Sequence, residues 1–313
     1  MMSQAAPARS VAWRQAWGSA NSAFYSRKRA EEEFTTSIHA GTSVAAYLAE
    51  MIRRNSFGDE DFFVIDVGSG DGELLRQLAP LVGDVHLIGI DMRSRPADLP
   101  ASISWVEKSI DDGTTEITGY DGSISGLLVA HEFLDDVPCE IVELDDDLNP
   151  RFVLVDQLTG HEEIGPRLDD VAASRIWGAS EVEAMQMWLD RWWPSTRPLA
   201  RREIGLQRDR TWARLTRVLD TGLAVAIDYA HARPERASGL WDAGTVKGFS
   251  AGRPCTAIPN GRVNITAHVA LDACSSEGGK IVSQAEVLGN TSLESWPAGL
   301  GSYSWLIQPI MKR

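Results

Sequence analysis

The run Val64-Ile65-Asp66-Val67-Gly68-Ser69-Gly70-Asp71-Gly72-Glu73-Leu74-Leu75 decides the fold. An apolar, strand-like stretch reaches an acid, glycine then recurs at every second position, and a helix-forming segment follows. Glycine takes a left-handed backbone readily and lets the chain approach a ligand with no Cβ in the way. At the carboxyl end of a buried strand, such a loop turns its amides and the next helix start toward the crevice where open α/β sheets bind ligands. The GxGxG spacing departs from the GxGxxG of pyrophosphate-binding turns, which weakens a dinucleotide reading.

Working outward, Asp66 precedes the first glycine by two positions, so the crevice suits a cationic or zwitterionic ligand. S-adenosylmethionine, with its sulfonium, amino group and carboxylate, fits that description. Leu87-Ile88-Gly89-Ile90-Asp91 ends the next strand in a second acid, 19 positions after Gly72. At that spacing a carboxylate can accept both ribose hydroxyls of an adenosine cofactor. Met92 follows at the same strand end and joins Asp66, Gly68, Gly70, Gly72 and Asp91 in the expected cofactor set. Asp111-Asp112 comes after a third strand; Asp111 there either meets the adenine amino group or belongs to a solvated turn. Together these pieces resemble the core of a class I S-adenosylmethionine-dependent methyltransferase.

The rest of the chain suits that frame. Phe62–Val67, Val85–Ile90, Ile103–Val106, Ile124–Ala130 and Leu223–Ile227 are short apolar runs of buried-strand type, and 281–288 and 303–310 would close the sheet. Alternation of such runs with helical stretches implies a Rossmann-like α/β fold with a seven-stranded, mostly parallel sheet. Residues 1–57 read as an N-terminal helical cap, 58–138 as the first half of the core, 139–206 as an inserted lobe and 207–313 as the second half. Within the lobe, 141–144 and 151–155 form a hairpin around Asp145-Asp146-Asp147, and 180–193 a helix ended by Pro194. The Gly- and Pro-rich stretch from about 230 to 272 reads as loop.

Composition excludes other classes. Apolar residues make 43% of the 313 positions and charged residues 24%, which is globular usage. Thirty Lys and Arg against 44 Asp and Glu give a formal charge of −14, which disfavours nucleic acid and anionic membranes and favours a basic partner. Cys139, Cys255 and Cys274 lie far apart with no metal-ligand spacing, so no metal is expected and the compartment reads as reducing. No apolar run approaches the roughly 18 residues of a membrane helix. Residues 1–30 carry five basic residues before Glu31, as a transit peptide would, but read better as a short lead-in. The expected location is cytoplasmic.

Further segments narrow the resemblance. Val129-Ala130-His131-Glu132-Phe133-Leu134-Asp135-Asp136-Val137-Pro138 resembles the "ANEFLDALP" stretch of the MidA family of methyltransferases, which includes the mitochondrial complex I assembly-factor methyltransferase. Ala226-Ile227-Asp228-Tyr229-Ala230 is similar to its "iDYG" strand end. Gly244-Thr245-Val246-Lys247-Gly248-Phe249 and the later Ile265-Thr266-Ala267-His268-Val269 are similar to its "GTLRGY" and "ITAHV" pieces. Phe34-Thr35-Thr36-Ser37 is similar to its N-terminal "GDFxTS". The match runs in order over nearly the whole chain. His131 stands where the family has Asn, Asn264 and Ala270 where it has Asp, and Ala230 where it has Gly, which marks a divergent branch. The resemblance implies methylation of a protein arginine, with a homodimer as a further expectation.

Glu132, at the end of the fourth strand, is the expected catalytic acid, able to hold a guanidinium bidentately; an ordinary helix-start acid is the alternative. Asp135 and Asp136 read as first-turn helix acids. Asp228 and His268 complete the catalytic set, one as a cation-binding strand-end acid and the other as a general base, though each also suits a structural role. His131 joins the cofactor set. Tyr229 and Glu203 are expected to contact the acceptor. Two other classes stay open: a non-catalytic assembly scaffold keeping this fold, and a dinucleotide-dependent oxidoreductase.

Overall fold

The computed structural model describes residues 10–27, 36–55, 61–110, 120, 123–194, 197–289 and 302–311. Chain contacts divide them into two compact units. One comprises the stretch up to Arg27 with Asp136–Gln207 and His231–Ala267; the other comprises Lys28–Asp135, Arg208–Ala230 and His268–Arg313.

The second unit holds a seven-stranded sheet in the order Lys280–Ser283, Ser304–Met311, Thr221–Asp228, Ser125–His131, Phe62–Val67, His86–Asp91, Ile103–Glu107. The last five pair in parallel, and Ser304–Met311 runs antiparallel to both of its neighbours. All six residues of Phe62–Val67 are buried, as expected for a central strand covered on both faces. The helices Ser43–Asn55 and Glu73–Leu78 lay Leu48, Ile52, Leu74, Leu75 and Leu78 into one core with Val64, Leu127, Val129, Val225, Ile227 and Trp305. Each such side chain contributes roughly 1.5–3 kcal/mol by leaving water.

From Phe62–Val67 the chain adds strands toward one edge, then returns with Ser125–His131 on the other side. The order therefore reverses between these two strands, and a crevice opens beyond their carboxyl ends. Gly68 follows one strand and Glu132 the other.

The first unit is built on a five-stranded sheet of Ser10–Ala12, Glu140–Leu144, Pro150–Asp156, Glu162–Arg167 and Arg201–Ile204. The helix Trp13–Tyr25 packs Trp13, Trp17 and Ala20 against Ile141, Val153, Val155 and Ile265, and the Trp17 indole donates to the Ile265 carbonyl at 2.7 Å. Pairing of Ser10–Ala12 with 154–156 gathers the N-terminal segment with residues of the lobe in one compact unit.

Three local expectations are corrected. The 230–272 stretch contains a helix, Arg233–Ser238, and a three-stranded sheet of Lys247–Ser250, Arg253–Cys255 and Asn264–Thr266. Strands of three or four residues carry too little period-two pattern to be seen locally, and their pairing supplies the order. The expected strand 281–288 divides into the strand Lys280–Ser283 and the helix Gln284–Leu288. Ser283 and Glu286 cap that helix reciprocally, with bonds of 3.2 and 2.7 Å. The lobe helix begins at Ala179, after a second helix, Val171–Trp177, that ends at Gly178 with φ +90°.

Candidate functional site

The glycine loop takes the conformation its sequence requires. Gly68, Gly70 and Gly72 have φ of 71°, 60° and 76°, the left-handed region that side chains disfavour. The Gly68 and Ser69 amides donate to the Ile90 carbonyl at 2.9 and 3.1 Å, which ties the loop to the neighbouring strand. A Cβ on Gly72 would stand 2.6 Å from Leu99, whereas among the described residues one on Gly70 would meet only an Arg93 nitrogen at 3.6 Å. The middle of the loop therefore keeps room at its surface.

Asp66 and Asp91 brace this loop. Asp66 is buried and accepts the Ser69 hydroxyl at 2.6 Å; burial drives its carboxyl up to about 7, the Ser69 bond opposing and the Asp91 charge adding to it. Asp91 accepts the Gly70 amide at 2.9 Å on one oxygen and the Arg93 amide and Nε on the other. Met92 beside it is 40% exposed. Asp111 lies outside the described residues.

On the facing strand end, Glu132 itself adopts a left-handed backbone, φ +49°. That strain, of order 1 kcal/mol or more, is carried by surrounding bonds. The Glu132 amide donates to the Ile227 carbonyl at 2.8 Å. Asp228 then fixes the following turn, one oxygen accepting the Leu134 and Asp135 amides at 3.0 and 3.1 Å and the other its neighbour's amide at 2.9 Å. It is fully buried, and burial followed by the Asp135 charge holds its carboxyl well above the ordinary range. Engaged on backbone through both oxygens, Asp228 positions the turn that follows Glu132. Asp135 and Asp136 do not begin a regular helix, and follow Glu132 in turns. Arg208, also buried, donates to the carbonyls of Asp135 and His268, each at 2.7 Å, and joins the two flanks of the site.

The Glu132 side chain accepts the Ser37 amide at 3.2 Å. The Ser37 hydroxyl lies 2.6 Å from Nε2 of His131, and Glu132 is 3.4 Å from the same nitrogen. A carboxylate at that distance favours imidazolium, but burial outweighs it, with the His39 charge acting in the same direction as burial, and the His131 value falls to about 3. The contact is therefore one to a neutral ring. Alongside, the Tyr303 hydroxyl donates to that of Tyr229 at 3.0 Å, and the Tyr229 and His268 rings stack at 5.8 Å. Burial raises Tyr229 to about 12, and burial with the Glu132 charge raises Tyr303 further, so both stay protonated.

Glu132, His131, Tyr229, Asp228 and His268 thus come together, while Glu203 belongs to the other unit. There Glu203 sits on the buried strand Arg201–Ile204 and accepts the Thr245 amide at 2.7 Å. Sequence reasoning passed over Ser37, Arg93, Phe133, Arg208 and Tyr303. Ser37 and Phe133 stood within the family-like segments and Arg93 two residues after Asp91, signals that were available; Arg208 and Tyr303 carry none without their distant partners.

The sequence profile of a family described as "Putative S-adenosyl-L-methionine-dependent methyltransferase" matches residues 90–289. The chain belongs to this family. No curated protein matches the methyltransferase by sequence. Among solved structures it is similar to a superfamily protein of Burkholderia thailandensis crystallised with S-adenosyl-homocysteine. That likeness has a TM-score of 0.72 at 17% identity and covers 95% of this chain and 87% of the other. A second superfamily protein of the same organism, in its native form, gives a TM-score of 0.68 at 16% identity with the same coverage. These likenesses establish the methyltransferase fold. No helix among the described residues is long and apolar enough to cross a membrane.

The residues present fit an adenosyl cofactor. The open surface at Gly70, the acid beneath the loop and the acid ending the next strand offer amides and carboxylates to an amino acid and a ribose.

Proposed function

We propose that this methyltransferase uses S-adenosylmethionine to methylate a side chain of a basic protein, with arginine the favoured acceptor, as the resemblance to the MidA family implies. Glu132 is the observation that carries the reading: an acid in strained left-handed backbone, across the strand-order reversal from the glycine loop. Strain of this kind persists where the surrounding structure over-determines it, and such residues cluster at active sites.

Bound S-adenosylmethionine supplies an electrophilic methyl on its sulfonium. Asp66, Gly68, Gly70 and Gly72 would hold its amino-acid end, Asp91 and Met92 its adenosine, and neutral His131 would border the site without adding a charge. A guanidinium stays protonated in water and is a poor nucleophile until its charge is redistributed. The Glu132 carboxylate can hold two of its nitrogens and localise the lone pair on the third. Tyr229 and Tyr303 border the carboxylate and exclude water, and His268, stacked on Tyr229, is the group available to take the departing proton. The net charge of −14 would steer a basic segment toward the chain.

Labelled S-adenosylmethionine is supplied with proteins from cells lacking the gene, and modified residues are identified by mass spectrometry. Methylarginine is the expected product. Glu132→Gln should lower transfer by about 10² or more, the scale of one preorganised electrostatic group, and leave S-adenosylhomocysteine affinity within a few-fold. Transfer at the parent rate by Glu132→Gln, or methyl found on another residue type alone, would defeat the arginine mechanism.

A further inference from the structure

We propose that Arg93 sets the affinity for the adenosyl cofactor: its guanidinium holds the Asp91 oxygens that the ribose diol requires, and it must swing away before the cofactor can seat. This inference rests on the cofactor reading above and adds a residue that the reading does not use.

The Asp91 and Arg93 side chains are 9% and 18% exposed. One Asp91 oxygen accepts the Arg93 amide at 2.9 Å and Nε at 3.0 Å; the other accepts the Gly70 amide at 2.9 Å, with Arg93 Nη2 at 3.5 Å. An ionised carboxylate offers about four lone-pair sites, so these four donors occupy it. Two of them are main-chain amides and are fixed. Gly70 sits in its left-handed turn, and the Arg93 carbonyl is held by the Trp105 indole at 3.0 Å. The other two sit on the guanidinium, at the end of a side chain, and are the pair that rotation about side-chain bonds can carry off the carboxylate.

A ribose diol brings two hydroxyl donors to the same carboxylate. It can replace the guanidinium bond for bond but cannot be added to it. The location of Nη2 sharpens the conflict: among the described residues it is the neighbour nearest to where a Gly70 side chain would begin, 3.6 Å away. Arg93 therefore covers the open part of the loop as well as its acid. The apparent affinity of a ligand falls by the fraction of molecules in which the competent state is populated. For a chelated ion pair of this exposure the closed state should outweigh the open one by roughly five-fold or more.

Isothermal titration with S-adenosylhomocysteine on the full chain tests this, comparing the parent with Arg93→Met and Arg93→Gln, each first shown to melt cooperatively. Both variants keep a long stem and lack the charge, so a fold defect in one leaves the other as the test. The expected result is binding tighter than the parent by about five-fold or more in a folded variant. Parent-like or weaker binding in the folded variants, with the parent itself binding, would overturn the proposal and leave the cofactor reading standing. Absence of binding in the parent and both variants would defeat the cofactor reading and this inference with it.

Discussion

The ring of Phe133 stands where a side chain on Gly68 would be: a Cβ there would lie 2.7 Å from Phe133 Cδ2. The turn that begins at Glu132 is thus packed directly on the glycine loop. One contact couples the strand end bearing the acid to the loop that would cradle the cofactor, and both follow the strands between which the sheet order reverses.

Gly68→Ala and Gly70→Ala should therefore behave differently. Both force a left-handed alanine, costing about 1–2 kcal/mol. Gly68→Ala must also displace Phe133, so its total loss of stability should be larger by about 1 kcal/mol or more. Among the described residues Gly70→Ala meets only the tip of an arginine, so it should fold nearly as well while binding S-adenosylhomocysteine at least ten-fold more weakly. Urea denaturation and titration calorimetry on the two proteins check the contrast; equal stability losses would argue against the packing account.

Glu132→Gly separates stability from activity. Glycine relieves the φ of +49°, so the variant should gain up to about 1 kcal/mol while transfer is lost. A thermal melt reporting clear destabilisation would show that the Glu132 side-chain bonds matter more to folding than the strain does.

Asp66 gives a pH signature. Its carboxyl titrates near 7 when folded against 3.8 ordinarily, so the folded chain binds the extra proton. Stability from this group is present in full below about pH 4, falls as pH rises, and is lost above 7. Asp66→Asn carries no charge at any pH. Its melting temperature should match the parent near pH 4 and exceed it near pH 8, and a parent-like slope across that range would refute the burial effect.

His131 acts in the opposite sense. A ring lowered from 6.5 to about 3 contributes stability present above 6.5 and lost as pH falls toward 3. His131→Asn should flatten that acid limb in a pH series of melts. Ser37→Ala, which removes the 2.6 Å partner of the ring, should cost about 1–2 kcal/mol at pH 7, measured by urea denaturation.

The strands Phe62–Val67, His86–Asp91, Ser125–His131 and Thr221–Asp228 were readable within a residue or two, because a strand buried on both faces is an unbroken apolar run. The glycine loop was readable because its left-handed backbone admits few other residues. Gathering of the N-terminal helix with 136–207 and 231–267 was not, since it depends on pairings such as Ser10 with Asp156, far apart in sequence.

By itself, then, the sequence determined the parallel sheet, the loop and the strand-end acids, all properties of contiguous residues. Only the tertiary structure decided which donors each acid meets. Asp228 accepts the amides of Leu134, Asp135 and Tyr229, Glu203 that of Thr245, Asp91 those of Gly70 and Arg93, and Glu132 that of Ser37 from a strained backbone beside the tyrosines. An acid's chemistry depends on burial and on the donors it meets, and those donors arrive from segments that no local reading brings together.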